Sequence, residues 1–353
     1  MIGAMRLREH GASRPVAAAV SLRPGARITA GVLLVALAGC TPSERASGPV
    51  KRFEAGENLG AMTVAGGDVW VNDFGREEVV RIEGRSGRVL ARLPLGRRTA
   101  LATAGRSVWA LRWGGRFFRA PTGPLVRIDP RSGRVIQRLA ARGPSGAEMI
   151  GFGVLASGHS LWVWGPTRVL QIEASSGRAL RDLPVDQRYG ELTGAAPDGS
   201  GGLLATTGDG HLARTAPAGV LPGRRQPALS GSELQVLDGG RAIASRGGGV
   251  IAVSTDGARL LWRSQLGFRV STVIPHDGVL LVQGAAFRDD GDRLWALDPA
   301  TGRVLASTRI PSFSTTSMTV AGGSLWVTTA AGEVIVFPQL AVDLFVARAR
   351  SRH

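Results

Sequence analysis

The chain has 353 residues, of which 44% are hydrophobic and 50 are glycine, and its formal net charge is +16. That apolar content excludes a disordered chain, and so much glycine beside 19 prolines points to many short strands joined by tight turns. The charge does not read as a nucleic-acid footprint, because Lys51 is the only lysine and the arginines are scattered through turns of the form Ser-Gly-Arg or Thr-Gly-Arg; an anionic lipid or cell-wall surface is the partner it suits.

From the N-terminus, Arg6, Arg8, Arg14, Arg23 and Arg27 precede an apolar run over residues 28–39. The run is shorter than the about 20 residues of a spanning helix and suits the apolar region of a signal peptide. It ends in Leu37-Ala38-Gly39-Cys40, which resembles the bacterial lipobox. The resemblance implies that residues 1–39 are removed and that the Cys40 thiol receives a diacylglyceryl group. Two acyl chains hold a protein at a membrane where one is marginal, so the expected address is the outer face of the cytoplasmic membrane. Cys40 is the only cysteine, which leaves no disulfide to the mature chain. Residues 41–49, Thr-Pro-Ser-Glu-Arg-Ala-Ser-Gly-Pro, read as a polar tether, so that 40–49 forms the lipid-bearing linker. The long stretch ahead of the apolar run also allows a start at Met5.

Residues 50–338 are repetitive. One half-unit, Val64-Ala65-Gly66-Gly67-Asp68-Val69-Trp70-Val71, returns at 103–110, 155–163 and 320–327, with weaker copies near Leu204, Ile243 and Leu280. The other, Val80-Arg81-Ile82-Glu83-Gly84-Arg85-Ser86-Gly87-Arg88-Val89-Leu90, returns at 126–136, 170–180 and 295–305. Each is strand, turn, strand. The acidic residue caps the turn through its side chain, and the glycine takes the positive φ that the turn needs. Four strands at a period near 43 residues make a propeller blade, and the fold class is all-β: a seven-bladed β-propeller of four-stranded antiparallel blades. The degenerate fourth and fifth units leave six and eight blades open. The last unit lacks an outermost strand, and Val50-Lys51-Arg52-Phe53 resembles the missing one, so the N-terminal strand is predicted to close the ring and remove its free edge. Trp70, Trp109, Trp162 and Trp326, with Leu204, Ile243 and Leu280 in their place elsewhere, read as packing between neighbouring blades; Trp113, Trp164 and Trp262 fall outside that register and are expected to be more open. Residues 339–353 mix Leu340, Val342, Leu344, Phe345 and Val346 with three arginines and form either a short basic helix or a frayed tail.

The phrase Trp295-Ala296-Leu297-Asp298-Pro299-Ala300-Thr301-Gly302-Arg303 resembles the repeat of quinoprotein-like (PQQ-type) propellers, and the copies at 80–90 and 126–136 resemble YVTN-type surface propellers and virginiamycin B lyases. The resemblance covers roughly residues 50–338 and speaks for blades more than for function. Quinone-dependent dehydrogenases of this type are longer eight-bladed chains with a calcium site and a vicinal cysteine pair, which this chain lacks. The lyases use histidines and a glutamate near magnesium at the channel mouth. His159, His211, His276 and His353 do not have such neighbours, and the lyase activity is not carried over. No cofactor or metal is assigned. Asp289-Asp290-Gly291-Asp292 reads as an exposed acidic turn rather than a cation loop.

Loops that lead from one blade into the next converge on one mouth of the channel and present Asn58, Arg97, Arg98, Glu148, Tyr189, Glu191, Arg269 and Ser314. Loops between the second and third strands join them there with Asn72, Asp73, Trp113, Trp164 and Arg288. The insertion Trp113-Gly114-Gly115-Arg116-Phe117-Phe118-Arg119 adds Phe117 and Phe118, a set suited to a binding hot spot. The reading is therefore a lipid-anchored, monomeric binding or scaffold module for a protein or cell-envelope ligand at one rim. The alternative is a metal-assisted lyase or hydrolase at the channel mouth, requiring two or more of Asp73, Glu148, Glu191 and His276 near one point. A third option resembles the lipoprotein propeller of the outer-membrane BAM complex. It ranks last because the arginine-rich composition fits a GC-rich bacterium without such a membrane.

Overall fold

A computed structural model describes residues 50–96, 99–112, 123–140, 151–217, 219–230, 233–257, 259–285 and 291–351. Seven four-stranded antiparallel sheets follow one another along the chain. Blade 1 spans residues 59–93, blade 2 99–139, blade 3 153–184, blade 4 192–225, blade 5 233–265 and blade 6 269–309. In each of these, chain order runs from the innermost strand to the outermost. Blade 7 has three strands at 315–337 and takes its fourth, Lys51–Glu54, from the N-terminal side. That strand pairs antiparallel with Glu333–Phe337, Lys51 opposite Val336 and Phe53 opposite Val334. The predicted closure is present, and it covers the edge of Glu333–Phe337, completing blade 7 with four strands like the others.

Seven apolar clusters hold the ring, one at each junction between consecutive blades. Alternation along the second strand explains them, because successive side chains point to opposite faces. In blade 1, Val69 and Val71 face blade 7 while Trp70 faces blade 2. Trp109, Trp162, Leu204 and Ile243 face forward in the same way, and Trp326 faces blade 1 across the closure. In blade 6 the forward-facing residue is Leu281, not Leu280, which packs backward on blade 5. The hairpin there is set by the pairing of His276 with Val279, so the residue two places beyond the turn is Leu281, and a slip of one residue reverses the face.

The repeated turn between the third and outermost strands does more than reverse the chain: in blades 2, 3 and 6 it latches the blade to the one before it. Arg81 of blade 1 lies 5.7 Å from the Trp70 ring centroid and donates to Asp68 Oδ2 at 2.7 Å and to the Arg131 carbonyl of blade 2 at 2.7 Å. Arg127 of blade 2 repeats this over Trp109 at 5.6 Å, donating to Ser107 Oγ and to the Ser175 carbonyl of blade 3. Trp262, expected to be open, is 8% exposed because its Nε1 donates to the Pro299 carbonyl in the blade 6 turn. Beside it Gly302 has φ +70°, its carbonyl accepts from Ser264 Oγ, and an added Cβ would lie 2.4 Å from the Trp262 ring. Gly302→Ala is therefore expected to lower stability by about 2–4 kcal/mol through backbone strain and overpacking together. Urea unfolding measures it, and an unchanged midpoint would show that the latch carries no load.

Two acidic turn caps, Asp129 in a turn of this kind and Asp198 in the first hairpin of blade 4, make stability sensitive to pH. Asp129 accepts from the Ser132 hydroxyl and from the N–H groups of Arg131 and Ser132, which together hold its carboxyl below the ordinary range. At Asp198 burial pushes upward, but the N–H groups of Ser200 and Gly202 and the Ser200 hydroxyl outweigh it and the net direction is down. A folded-state value below the unfolded one stabilises the fold at pH above about 4, and that contribution is lost as pH falls through the folded value. Asp129→Asn is expected to flatten the acid limb of a stability–pH profile between pH 5 and 2, as read by thermal unfolding; a limb parallel to that of the unaltered chain would contradict the assignment.

Residues Gln339–Arg350 form a helix, the first of the two forms expected for this segment. Val342, Val346 and Ala349 bury one face of it on blades 6 and 7, while Leu344, Arg348 and Arg350 stay exposed.

Candidate functional site at the loop end of the ring

Alternating strand directions sort the connections into two groups. Turns between the first and second strands and between the third and fourth lie at one end of the ring, the turn end. Loops between the second and third strands and between blades lie at the other, the loop end.

The described candidates at the loop end fall into three kinds. Asn58, Glu191, Arg269 and Ser314 are exposed and lie on different blade junctions. Tyr189 belongs to a 3-10 turn, Gln187–Tyr189, capped by Asp186; its ring meets His211 edge-on at 5.0 Å, and the Arg188 guanidinium lies 5.8 Å from it. Trp164 is half-buried and edge-on to Phe152 at 5.9 Å, with Gly153 beneath its indole. Two candidates are interior. Asp73 is fully buried and its carboxylate accepts four backbone N–H groups: Glu57 at 3.1 Å, Asn58 at 3.2 Å, Gly75 at 3.0 Å and Arg76 at 3.2 Å. It fastens the loop from the closing strand to the loop of blade 1, which is why no side chain fits at Gly56, where a Cβ would lie 2.2 Å from Asp73 Oδ2. Asn72 is also fully buried, and neither atom of its amide has a partner. Thr206 and Thr328 occupy the corresponding place in blades 4 and 7 and bridge to the innermost strand of the next blade. Arg97, Arg98, Trp113, Phe117, Phe118, Glu148 and Arg288 lie outside the described residues, as does Cys40.

The carboxylates and histidine considered for a metal-assisted site are not all at one end. Asp73 and Glu191 are at the loop end, but His276 closes the innermost strand of blade 6 and lies at the turn end. Asp292 is not an exposed acidic residue: it is 1% exposed, and its carboxylate accepts the Thr315 N–H. The pull of that N–H and the backbone pairing of Asp292 with Ile310 and Ser312 bring it inside, where it fixes the entry to blade 7.

What the loop end does assemble is a crevice between blades 1 and 2. It is an open depression of about 460 Å³ lined by Arg76, Glu77, Pro94, Leu95, Arg112 and Arg138 among others. The Arg112 side chain runs between Gly96 and Gly123; a Cβ at either would come within 3.1 Å of it. The Gly123 N–H donates to the Arg112 carbonyl at 3.1 Å, and the Gly96 N–H to that of Glu77 at 2.8 Å, so backbone pairing frames the arginine on both sides. Arg76 donates to Glu57 at 3.2 Å, and that bond raises its pKa further above the ordinary arginine value. Arg76, Arg112 and Arg138 were not singled out in the sequence. The signal was available: each lies at the loop-end terminus of a strand or in the adjoining loop of two consecutive blades, a position that the repeat register predicts.

Residues 246–341 match a PQQ-repeat family model described as outer membrane protein assembly factor BamB. No curated protein sequence matches the chain. Among solved structures, a streptogramin B lyase is similar over 82% of this chain and 97% of its own, with a TM-score of 0.64 and 10% identity. A chain of a mitotic checkpoint complex is similar over 87% and 99%, at 0.64 and 13%. The computationally designed Ika8 protein is similar over 80% and 99%, at 0.54 and 13%. At these identities the solved structures speak for the fold alone. With the blade count and the closure together, the chain is a seven-bladed β-propeller, and its residues 246–341 are similar to PQQ-like repeats.

Proposed function

We propose that this protein is a membrane-anchored extracytoplasmic propeller that holds an acidic segment of a protein or envelope polymer in the crevice between blades 1 and 2. The observation that carries the reading is the convergence of Arg76, Arg112 and Arg138 on one depression, with Arg112 framed by Gly96 and Gly123. Guanidinium groups suit carboxylate and phosphate because their donors are planar and paired, and a side chain already held in place loses less freedom on binding. The description of the matching family, an outer membrane protein assembly factor, supports a binding role at a cell envelope. The Leu37-Ala38-Gly39-Cys40 sequence supports the anchor, and among the described residues no helix is long and apolar enough to cross a membrane.

The test is binding of a fluorescent oligoglutamate peptide to the processed chain by anisotropy. Arg112→Glu with Arg138→Glu is expected to weaken binding at least tenfold while the melting temperature stays close to that of the unaltered protein. Equal affinity in the double variant would remove the crevice from the account.

A further inference from the structure

The direction of the closing strand decides which end of the ring faces the membrane. Lys51 pairs with Val336 and Glu54 with Glu333, so the strand enters at the turn end and leaves at the loop end. The chain therefore enters the ring at Val50 on the turn end, ten residues along the sequence from Cys40, and ten residues of extended chain reach at most about 35 Å. The C-terminal helix packs at blades 6 and 7 directly after the third strand of blade 7, which also finishes at that end.

The outer corner of the turn end repeats one pair of side chains. Arg88, Arg134 and Arg178 are exposed, and two residues after each comes an exposed aliphatic: Leu90, Ile136 and Leu180, the last three 36%, 55% and 37% exposed. The carboxylates of Asp129 and Glu173 cap their own turns through Ser132 and Ser176, while Arg88, 72% exposed, lies 3.9 Å from Glu83 in a loose surface pair that a phosphate can replace. A cation beside an aliphatic side chain, repeated on three adjacent blades, matches a phospholipid surface: phosphate for the guanidinium and the outer acyl region for the Leu or Ile.

We propose that the turn end of the propeller docks on an anionic phospholipid membrane through these arginine–aliphatic corners, so that the crevice at the loop end faces away from the bilayer. The proposal rests on the anchored reading above and adds an orientation to it. Lipid attachment at Cys40 brings the turn end to the surface, and the corners hold it flat.

Vesicle flotation tests this on the processed chain, residues 40–353, carrying Cys40→Ser so that no acyl group contributes. With vesicles of phosphatidylglycerol and phosphatidylcholine in equal parts, the protein is expected to float at low salt and to be released at 0.5 M salt. It should not float with phosphatidylcholine alone. Arg88→Glu, Arg134→Glu and Arg178→Glu together are expected to lower the bound fraction at least tenfold, and Ile136→Ser to lower it several-fold with the charge unchanged. Arg225→Glu, Arg246→Glu and Arg309→Glu, a matched reversal at the loop end, should leave it unaltered. Equal loss from the two triple variants, or no flotation of the unaltered sequence, would overturn the proposal. Acylation of the native Cys40 is read separately by labelled palmitate incorporation, so failure of the anchor and failure of the docking face are distinguishable.

Discussion

Phe53→Ala is expected to destabilise the protein by about 3 kcal/mol, and deletion of residues 50–54 to promote aggregation. Phe53 sits edge-on to Trp326 with ring centroids 6.1 Å apart, and its ring lies where a Cβ on Gly87 of blade 1 would be, 2.6 Å away. One side chain thus touches both partners of the only junction that joins the two ends of the ring. Losing the ring leaves a cavity there. Losing the whole strand exposes the backbone donors and acceptors of Glu333–Phe337, an unpaired edge that can recruit another chain. Urea unfolding of the point variant and light scattering of the deletion measure the two effects. A deletion variant that scatters no more light than the unaltered chain and keeps its midpoint would mean that blade 7 is complete without the strand.

Asp73→Ala should cost about 3–4 kcal/mol, because four N–H groups from two loops lose one shared charged acceptor. Asp73→Asn should cost about half of that, since its amide nitrogen cannot accept and its oxygen can. The loop that Asp73 fastens carries Arg76 and Glu57, so binding of oligoglutamate should weaken in parallel with stability. A variant with native stability and lost binding would instead make Asp73 a ligand group, and the structural account of it would fall.

The architecture was legible because the strand pattern and the turn chemistry agree, unit after unit. Asp or Glu three residues before Ser or Thr, then Gly and Arg, marks the same turn in blades 1, 2, 3 and 6, and the tryptophan four residues beyond the first hairpin glycine marks the same strand in blades 1, 2, 3 and 7. Closure followed from counting strands against sequence. Where the tryptophan is missing the register was less secure, and Leu280 was placed on the face that belongs to Leu281. Trp262 was misplaced for a different reason. Its partners, Pro299 and Gly302, are about forty residues away in the next blade, and a contact between blades leaves no periodic mark on either segment.

The site was less legible than the fold. Topology alone sends the right loops to the right end, and it did so for Asn58, Tyr189, Glu191 and Arg269. It cannot say which polar residues the fold consumes. Asn72 and Asp73 are adjacent to a loop in sequence, yet the strand carries both into the interior, where Asp73 serves the backbone. Arg112 and Arg138 drew no attention in a chain so rich in arginine, because only the packing of Gly96 and Gly123 sets Arg112 apart from its neighbours.

Photo-crosslinking in whole cells tests most directly the claim that the loop end is the binding end. A photoreactive amino acid at position 112 or at position 134 reports what lies against each end of the anchored protein. The account predicts protein or polymer adducts from position 112 and lipid adducts from position 134. Lipid adducts from position 112 with protein adducts from position 134 would invert the molecule and contradict it.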